Sequence, residues 1–236
     1  MKNGKLFLIP TYLSSSNDKT FVSPMIIDVL QNVEHFLVEN VRTSRRFIGS
    51  MKAGIVIDDL HFEILDKKSS WEQMYERFEP IRKGKDMVVM SEAGLPCLAD
   101  PGNLAVCCAH QNNIQVVPMP GTSSIQMALI ASGFNGQRFT FNGYIPIDKA
   151  PRIKRIKELE QMANAGYTQL FMETPYRNHP LVADIIKHCN PETLLSIASD
   201  ISGEKEFILT QTIRKWQKTD IQIHKMPTIF SFGQFP

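Results

Sequence analysis

Two short apolar runs, 86–90 and 113–117, are each followed by a turn rich in glycine and proline, and a helical pattern lies between them. The first turn reads Ser91-Glu92-Ala93-Gly94-Leu95-Pro96 and the second Pro118-Met119-Pro120-Gly121-Thr122-Ser123-Ser124, with Asp100-Pro101-Gly102 ahead of the helix. Strand, loop, helix, strand, loop, helix is the order of a parallel crossover unit. A parallel sheet needs helices to return the chain, and the loops leaving the carboxyl ends of its strands line the ligand crevice. Glycine in such loops lets backbone groups approach a ligand with no side chain intervening. Two loops of this kind predict one small-molecule site.

A chain of 236 residues that is 43% hydrophobic and 21% charged can bury one large core or two modest ones. Apolar runs stay far below the roughly 18 residues of a membrane span. Met1-Lys2-Asn3-Gly4 leads straight into the strand-like run 5–9 without a signal-peptide layout, so a cytoplasmic protein with no membrane association is expected. The net charge of +2 is too small to indicate nucleic acid by itself, which leaves only local basic clusters to argue for it. Cys97, Cys107, Cys108 and Cys189 form no CxxC pair and stand at no zinc-ligand spacing, which predicts structural thiols; Cys97 lies inside the ligand loop, with nothing adjacent to lower its pKa. The six histidines, at 35, 61, 110, 179, 188 and 224, show no paired ligand spacing, and no metal is expected.

Along the chain, strands are expected at 5–9 and 35–38, a helix from Ser23 with Pro24 at its first position, and a helix from Arg42 to Met51. The polar stretch 14–18 reads as irregular. Trp71, Met74, Tyr75 and Phe78 recur at the spacing of one helical face and predict packing. Residues 124–132 read as a helix closed by Gly133, and Asn135-Gly136-Gln137 as a lobe junction, giving lobes 1–134 and 135–236. In the second lobe strands are expected at 139–142, 168–172 and 194–198, and helices at 151–165 and 178–188. Runs 206–212 and 228–232 read as neighbouring strands without a long helix between them, which predicts a mixed sheet.

Ser-Glu-Ala-Gly-Leu-Pro, Asp-Pro-Gly and Pro-Gly-Thr-Ser-Ser, in this order and at these distances, resemble the cofactor half of the tetrapyrrole methylase family, and within it the ribosomal RNA small subunit methyltransferase I group. Val38-Glu39-Asn40-Val41-Arg42, Gly143-Tyr144-Ile145-Pro146 and Glu173-Thr174-Pro175-Tyr176-Arg177 extend the resemblance from about Lys5 to the end of the sequence. The resemblance implies two α/β lobes of class III methyltransferase type, a mostly parallel N-terminal sheet and a mixed C-terminal sheet, with the cofactor S-adenosylmethionine in the cleft between lobes. It implies 2′-O-methylation of a ribose in small-subunit ribosomal RNA, with that RNA or the small ribosomal subunit as partner, and a homodimer.

By the same resemblance Pro10, Glu92, Ala93, Gly94, Leu95 and Pro96 approach the methyl donor, and Ser123 and Ser124 supply backbone or hydroxyl contacts. Met172 matches an apolar position against the adenosine, and Ala198, Pro227 and Thr228 fall where loops of the second lobe close over the ligand. Glycine, proline and serine also serve ordinary tight turns. Glu39 ends a strand and Arg42, Arg45 and Arg46 follow on the next helix, so a carboxylate and several guanidiniums are expected at the mouth of the crevice. Glu39 is the candidate general base and Arg42 the residue that positions an anionic acceptor; a solvated ion-paired surface is the simpler reading of the same residues.

The sequence departs from the family pattern at four places. Asn40 and Val41 replace the aspartate and threonine of Ala-Glu-Asp-Thr-Arg, Tyr176 replaces the histidine of Glu-Ser-Pro-His-Arg, Tyr12 enters where Pro-Ile-Gly-Asn carries glycine, and 198–203 lacks both basic residues of Ala-Arg-Glu-Leu-Thr-Lys, with Lys205 near enough to substitute for one. Tyr12 is expected to reshape the cleft, and Tyr176 to stack on a base or donate a hydrogen bond, or else to stand in a structural turn that Pro175 stiffens. Lys149, Arg152, Lys154, Arg155 and Lys157 form a basic helix start above a stripe of Ile153, Ile156, Leu159 and Met162 or Ala163, suited to phosphates or simply solvated. Two alternatives stand beside RNA methylation: a methylase of a tetrapyrrole or other small molecule, which requires an apolar concave acceptor pocket, and a binding protein without turnover.

Overall fold

The computed structural model describes residues 3–14 and 22–235. The chain divides into two compact units, Met1–Ser123 and Ser124–Pro236. The polar stretch read as irregular lies, beyond Ser14, outside the described residues.

In the first unit the strands are β1 (Lys5–Ile9), β2 (His35–Val38), β3 (His61–Ile64), β4 (Met87–Met90) and β5 (Gln115–Pro118), in the order β3-β2-β4-β1-β5. Every pairing is parallel, with Ile9 opposite Met90 and Leu8 opposite Pro118. The helices are α1 (Pro24–Asn32), α2 (Val41–Ser50), α3 (Trp71–Arg77), α4 (Glu79–Arg82) and α5 (Asn103–Gln111). Ser23 caps α1, with Pro24 in its first turn. One face of the sheet packs Phe36, Val38 and Val88 against Ile26 and Leu30 of α1 and Phe47 and Ile48 of α2. The other packs Leu6, Leu37 and Val89 against Met74, Ile81, Ala105 and Cys108. Helices on both faces explain why β4, Met-Val-Val-Met, is buried at every position. The helical face expected to pack is only partly buried: Met74 and Phe78 are inside, while Tyr75 is exposed with the Arg82 guanidinium 4.1 Å from its ring centroid.

The second unit holds β6 (Phe139–Tyr144), β7 (Thr168–Met172), β8 (Leu194–Ser199), β9 (Phe207–Thr212) and β10 (Thr228–Gly233), in the order β6-β7-β10-β8-β9. Only β6 and β7 run parallel; β10 is antiparallel to both β7 and β8, and β9 to β8. The expected adjacency of 206–212 and 228–232 is therefore corrected: β8 lies between them, because β10 crosses to the centre of the sheet. Its helices are α6 (Ser124–Ser132), α7 (Lys149–Asn164), α8 (Asn178–His188) and α9 (Ile213–Trp216). Here α6 packs on β8, β9 and β10, so the compact division falls one helix before the junction expected at 134/135. Ile156, Leu159 and Ala163 are the buried stripe of α7, Met162 being exposed. Arg152 of this helix is paired with Asp184 at 2.7 Å, and Arg155 donates to Asn142 at 2.7 Å, so part of the basic cluster is engaged inside the unit. No helix among the described residues is long and apolar enough to cross a membrane.

Candidate active site

Adjacent strands β1 and β4 send the chain to opposite faces of the first sheet, β1 toward α1 and β4 toward α5. Such a divergence opens a crevice at the carboxyl ends of the two strands. The loops there are tied by backbone contacts. Thr11 donates its amide to the Gly94 carbonyl at 2.9 Å, and its hydroxyl to the Ser91 carbonyl at 3.2 Å. The Ser91 hydroxyl turns back to the Gly94 carbonyl at 3.0 Å. Gly94 sits at φ +73°, and a Cβ there would meet Leu13 Cδ2 at 3.0 Å. A Cβ on Gly121 would lie 2.2 Å from the Pro10 ring, so the loops after β1 and β5 touch through a missing side chain. Cys97 and Ala99 both adopt left-handed backbone, φ +68° and +69°, which for residues other than glycine concentrates strain in this loop.

Beside this bridge lies a cavity of about 270 Å³, walled by Thr11, Tyr12 and Leu13 after β1, by Thr43, Arg46, Phe47 and Ser50 of α2, and by Ser91, Glu92 and Ala93 after β4. Positions 43, 46, 47 and 50 share one helical face, and α2 is fixed there because Asn40 caps it, accepting from the amides of Arg42 at 3.0 Å and Thr43 at 3.3 Å. The asparagine thus performs the capping that an aspartate in its place would perform. Tyr12 packs edge-on against Phe47, ring centroids 4.9 Å apart, with its hydroxyl 3.5 Å from Ser50 Oγ. It forms one wall of the cavity and makes that wall aromatic.

The loops carry negative charge at close quarters. Burial raises the pKa of Glu39, and the neighbouring Glu92 carboxylate raises it further, opposed by a hydrogen bond from the Glu92 amide. Asp100 is pushed up to about 6, by burial first and then by Glu39 and Glu92. The Cys97 thiol is raised to about 11 by burial and by Asp100, so it is protonated at neutral pH. The sequence reading took Asp100 only as part of a turn; its charge environment arises because β2 and β4 are paired, which sets Glu39 beside the loop after β4.

The expected convergence of guanidiniums is corrected for Arg45 alone. Arg46 lines the cavity and Arg42 is exposed, but Arg45 is paired with Asp58 and lies 5.9 Å from the Phe62 ring centroid. Residues 42 and 46 are one helical turn apart, whereas 45 points toward β3 and the turn before it.

In the second unit the antiparallel insertion of β10 brings its first residues beside the last residues of β7 and β8. Ile229 is in register with Met172 on one side and Ala198 on the other, and Thr228 with Ser199. Ala198 and Thr228 are buried, Met172 is partly exposed and Pro227 is exposed. The Thr228 hydroxyl lies 2.9 Å from Ser199 Oγ and accepts from Asn178 Nδ2 at 3.1 Å. Asn178, fully buried at the start of α8, also donates to the carbonyls of Ile223 at 3.0 Å and Met226 at 2.8 Å. Ser199, which stands where the family pattern has a basic residue, is therefore part of a buried hydroxyl pair. Lys205 donates its amide to Asp200 at 2.9 Å, with its side chain exposed.

Comparison with known proteins agrees with this arrangement. Residues 23–217 match the model of the tetrapyrrole (corrin/porphyrin) methylases. The ribosomal RNA small subunit methyltransferase I of Buchnera aphidicola subsp. Schizaphis graminum is 28% identical over 229 residues, covering 95% of this chain and 76% of that protein. The protein of the same name from Bacillus subtilis (strain 168) is 31% identical over 212 residues, covering 90% of this chain and 64% of its own length. In fold the chain is similar to the methyltransferase CobJ, with a TM-score of 0.62 and 16% identity over 98% of this chain and 94% of that one. A uroporphyrin-III-C-methyltransferase from Thermus thermophilus gives a TM-score of 0.58 and 14% identity at the same coverage. With parallel strands, glycine loops and a crevice in place, and most of its length matched, the chain belongs to the tetrapyrrole methylase family and is an S-adenosylmethionine-dependent methyltransferase.

Proposed function

We propose that the protein methylates a ribose 2′-hydroxyl in small-subunit ribosomal RNA. The observation that carries this reading is the cavity of about 270 Å³ walled by Tyr12, Phe47, Arg46 and Glu92, with Glu39 outside that lining but held against Glu92, whose amide donates to it. A cavity of this size suits a single nucleoside better than a tetrapyrrole macrocycle, and Tyr12 and Phe47 offer it aromatic walls. The relatives named as ribosomal RNA methyltransferases point to the same acceptor class.

The donor's chemistry suits the first unit. S-adenosylmethionine, when bound, supplies a methyl group activated by a positive sulfonium. Glu39, Glu92 and Asp100 repel one another, and a nearby cation relieves that repulsion. Pro10, Glu92, Ala93, Gly94, Leu95 and Pro96, with Ser123, are proposed to hold the donor on this unit, where the glycine contacts leave backbone rather than side chains facing it. Ser124, Met172, Ala198, Pro227 and Thr228 of the second unit are proposed as donor-contact residues on the family resemblance alone, Met172 having a partly exposed apolar side chain.

Glu39 would accept the proton of the acceptor hydroxyl as its oxygen takes the methyl group, the donor's sulfur–methyl bond breaking to leave a neutral thioether. A carboxylate with a raised pKa is the stronger base near neutral pH. Arg42, one turn from Arg46, is proposed to position the acceptor's phosphate. Transfer of labelled methyl to small ribosomal subunits tests the assignment: Glu39→Gln is expected to lower kcat about a hundredfold or more with donor binding by calorimetry intact, and Arg42→Ala to raise the acceptor constant more than the donor constant. Unchanged turnover in Glu39→Gln removes the proton-accepting role. Label entering a porphyrinoid and not the RNA removes the acceptor.

A further inference from the structure

We propose that Tyr176, with Lys225 and His224, is a platform on the second unit that holds a single-stranded part of the RNA acceptor, an unpaired base stacking on the Tyr176 ring and a neighbouring phosphate meeting the Lys225 ammonium. The inference rests on the RNA reading given above and names a surface that reading does not use.

Tyr176 follows β7 on a single helical turn, Pro175–Arg177, and its side chain is 69% exposed, large for an aromatic residue fixed at both flanks. The His224 ring meets it edge-on, centroids 6.4 Å apart at 85°, and the Lys225 ammonium lies 5.7 Å from its centroid. His179 stands 6.1 Å from His224 and extends the same surface. Two chain segments build the patch, and both are held from beneath. Asn178 donates to the carbonyls of Ile223 and Met226, and the Lys225 amide donates to the Pro175 carbonyl at 3.2 Å. Lys225 adopts φ +59°, a left-handed turn that this clamp enforces.

The charge fits a polyanion. Glu173 is the one carboxylate in 173–179, and it is buried and paired with Arg177; 222–228 contains no acidic residue. An exposed aromatic ring beside a cation and imidazoles, on a base held by hydrogen bonds, matches how proteins hold single strands. Such sites combine stacking on aromatic rings with backbone charge contacts. A protein partner would require a larger apolar patch than one ring.

The test uses the full chain and a fluorescent mixed-sequence RNA dodecamer, with anisotropy as the readout. Tyr176→Ala is expected to weaken binding about tenfold, and Tyr176→Trp to restore it, because any flat ring stacks. Lys225→Ala is expected to flatten the slope of log affinity against log salt by about 0.7. Calorimetric binding of S-adenosylmethionine, equal in all variants, verifies that they fold. If Tyr176→Ala binds the dodecamer as tightly as the unaltered protein while small subunits are still methylated, this inference falls and the acceptor assignment stands. If the unaltered protein neither binds the dodecamer nor labels small subunits, both fall.

Discussion

The two units bring their candidate ligand residues together by different means. In the first sheet all strands point one way, so the loops after β1, β2, β4 and β5 gather at one end as a consequence of direction alone. Backbone contacts at Gly94 and Gly121 then set their spacing. In the second sheet the relevant residues come from the ends of β7 and β8 and the start of β10, and the turn entering β10 is held by a side chain, Asn178. A parallel sheet needs space between loops; a mixed sheet needs polar partners for a segment that arrives from the opposite direction.

The largest expected effect breaks the second arrangement. Asn178→Ala removes the buried amide shared by two carbonyls and a hydroxyl, each of which keeps one other partner, and is expected to cost about 3 kcal/mol, read by urea denaturation. An unchanged midpoint would show that the turn 223–228 stands without the clamp. Next, Gly121→Ala forces a methyl into the Pro10 ring and is expected to cost about 1–3 kcal/mol. Gly136→Ala, with nothing within 4 Å, is expected to stay within about 0.5 kcal/mol and serves as its control in the second unit. Equal effects of the two glycine substitutions would remove the distinction between spacing by backbone and spacing by side chain.

The smallest effect sharpens the electrostatic side of the comparison. Asp100 titrates near 6 in the folded protein, above the 3.8 of an ordinary aspartate. Between those values the folded state holds a proton that the unfolded state has lost, so stability falls as pH rises from about 4 through 6. Asp100→Asn mimics the protonated form and is expected to raise Tm at pH 7.5 while leaving it unchanged at pH 3.5. A Tm gain of the same size at both values would show that charge is not the cause.

How much of this was legible in the sequence follows from the same physics. Apolar runs such as Thr168–Met172 and 6–9 announced themselves, and the glycine turns after β4 and β5 pointed to the sheet end that matters. The strand His61–Ile64 did not, because it is an edge strand whose His61 and Glu63 are exposed, leaving no apolar run to detect. The central place of β10 was equally hidden, since strand order depends on pairings that local patterns do not encode. Arg45 and Arg46 look alike in sequence, yet a 100° step around α2 sends one to Asp58 and the other to the cavity wall. The raised pKa of Asp100 needed the pairing of β2 with β4 before its neighbours were known.

The position of β1 also bears on how the molecule is born. This strand is made before both of its partners, β4 and β5, and the second ends at Pro118. β10 stands likewise between β7 and β8 in the other sheet. A growing polypeptide therefore exposes incomplete sheet edges throughout synthesis and closes each unit only when a distant piece arrives, an order of events that favours slow maturation and attendance by chaperones.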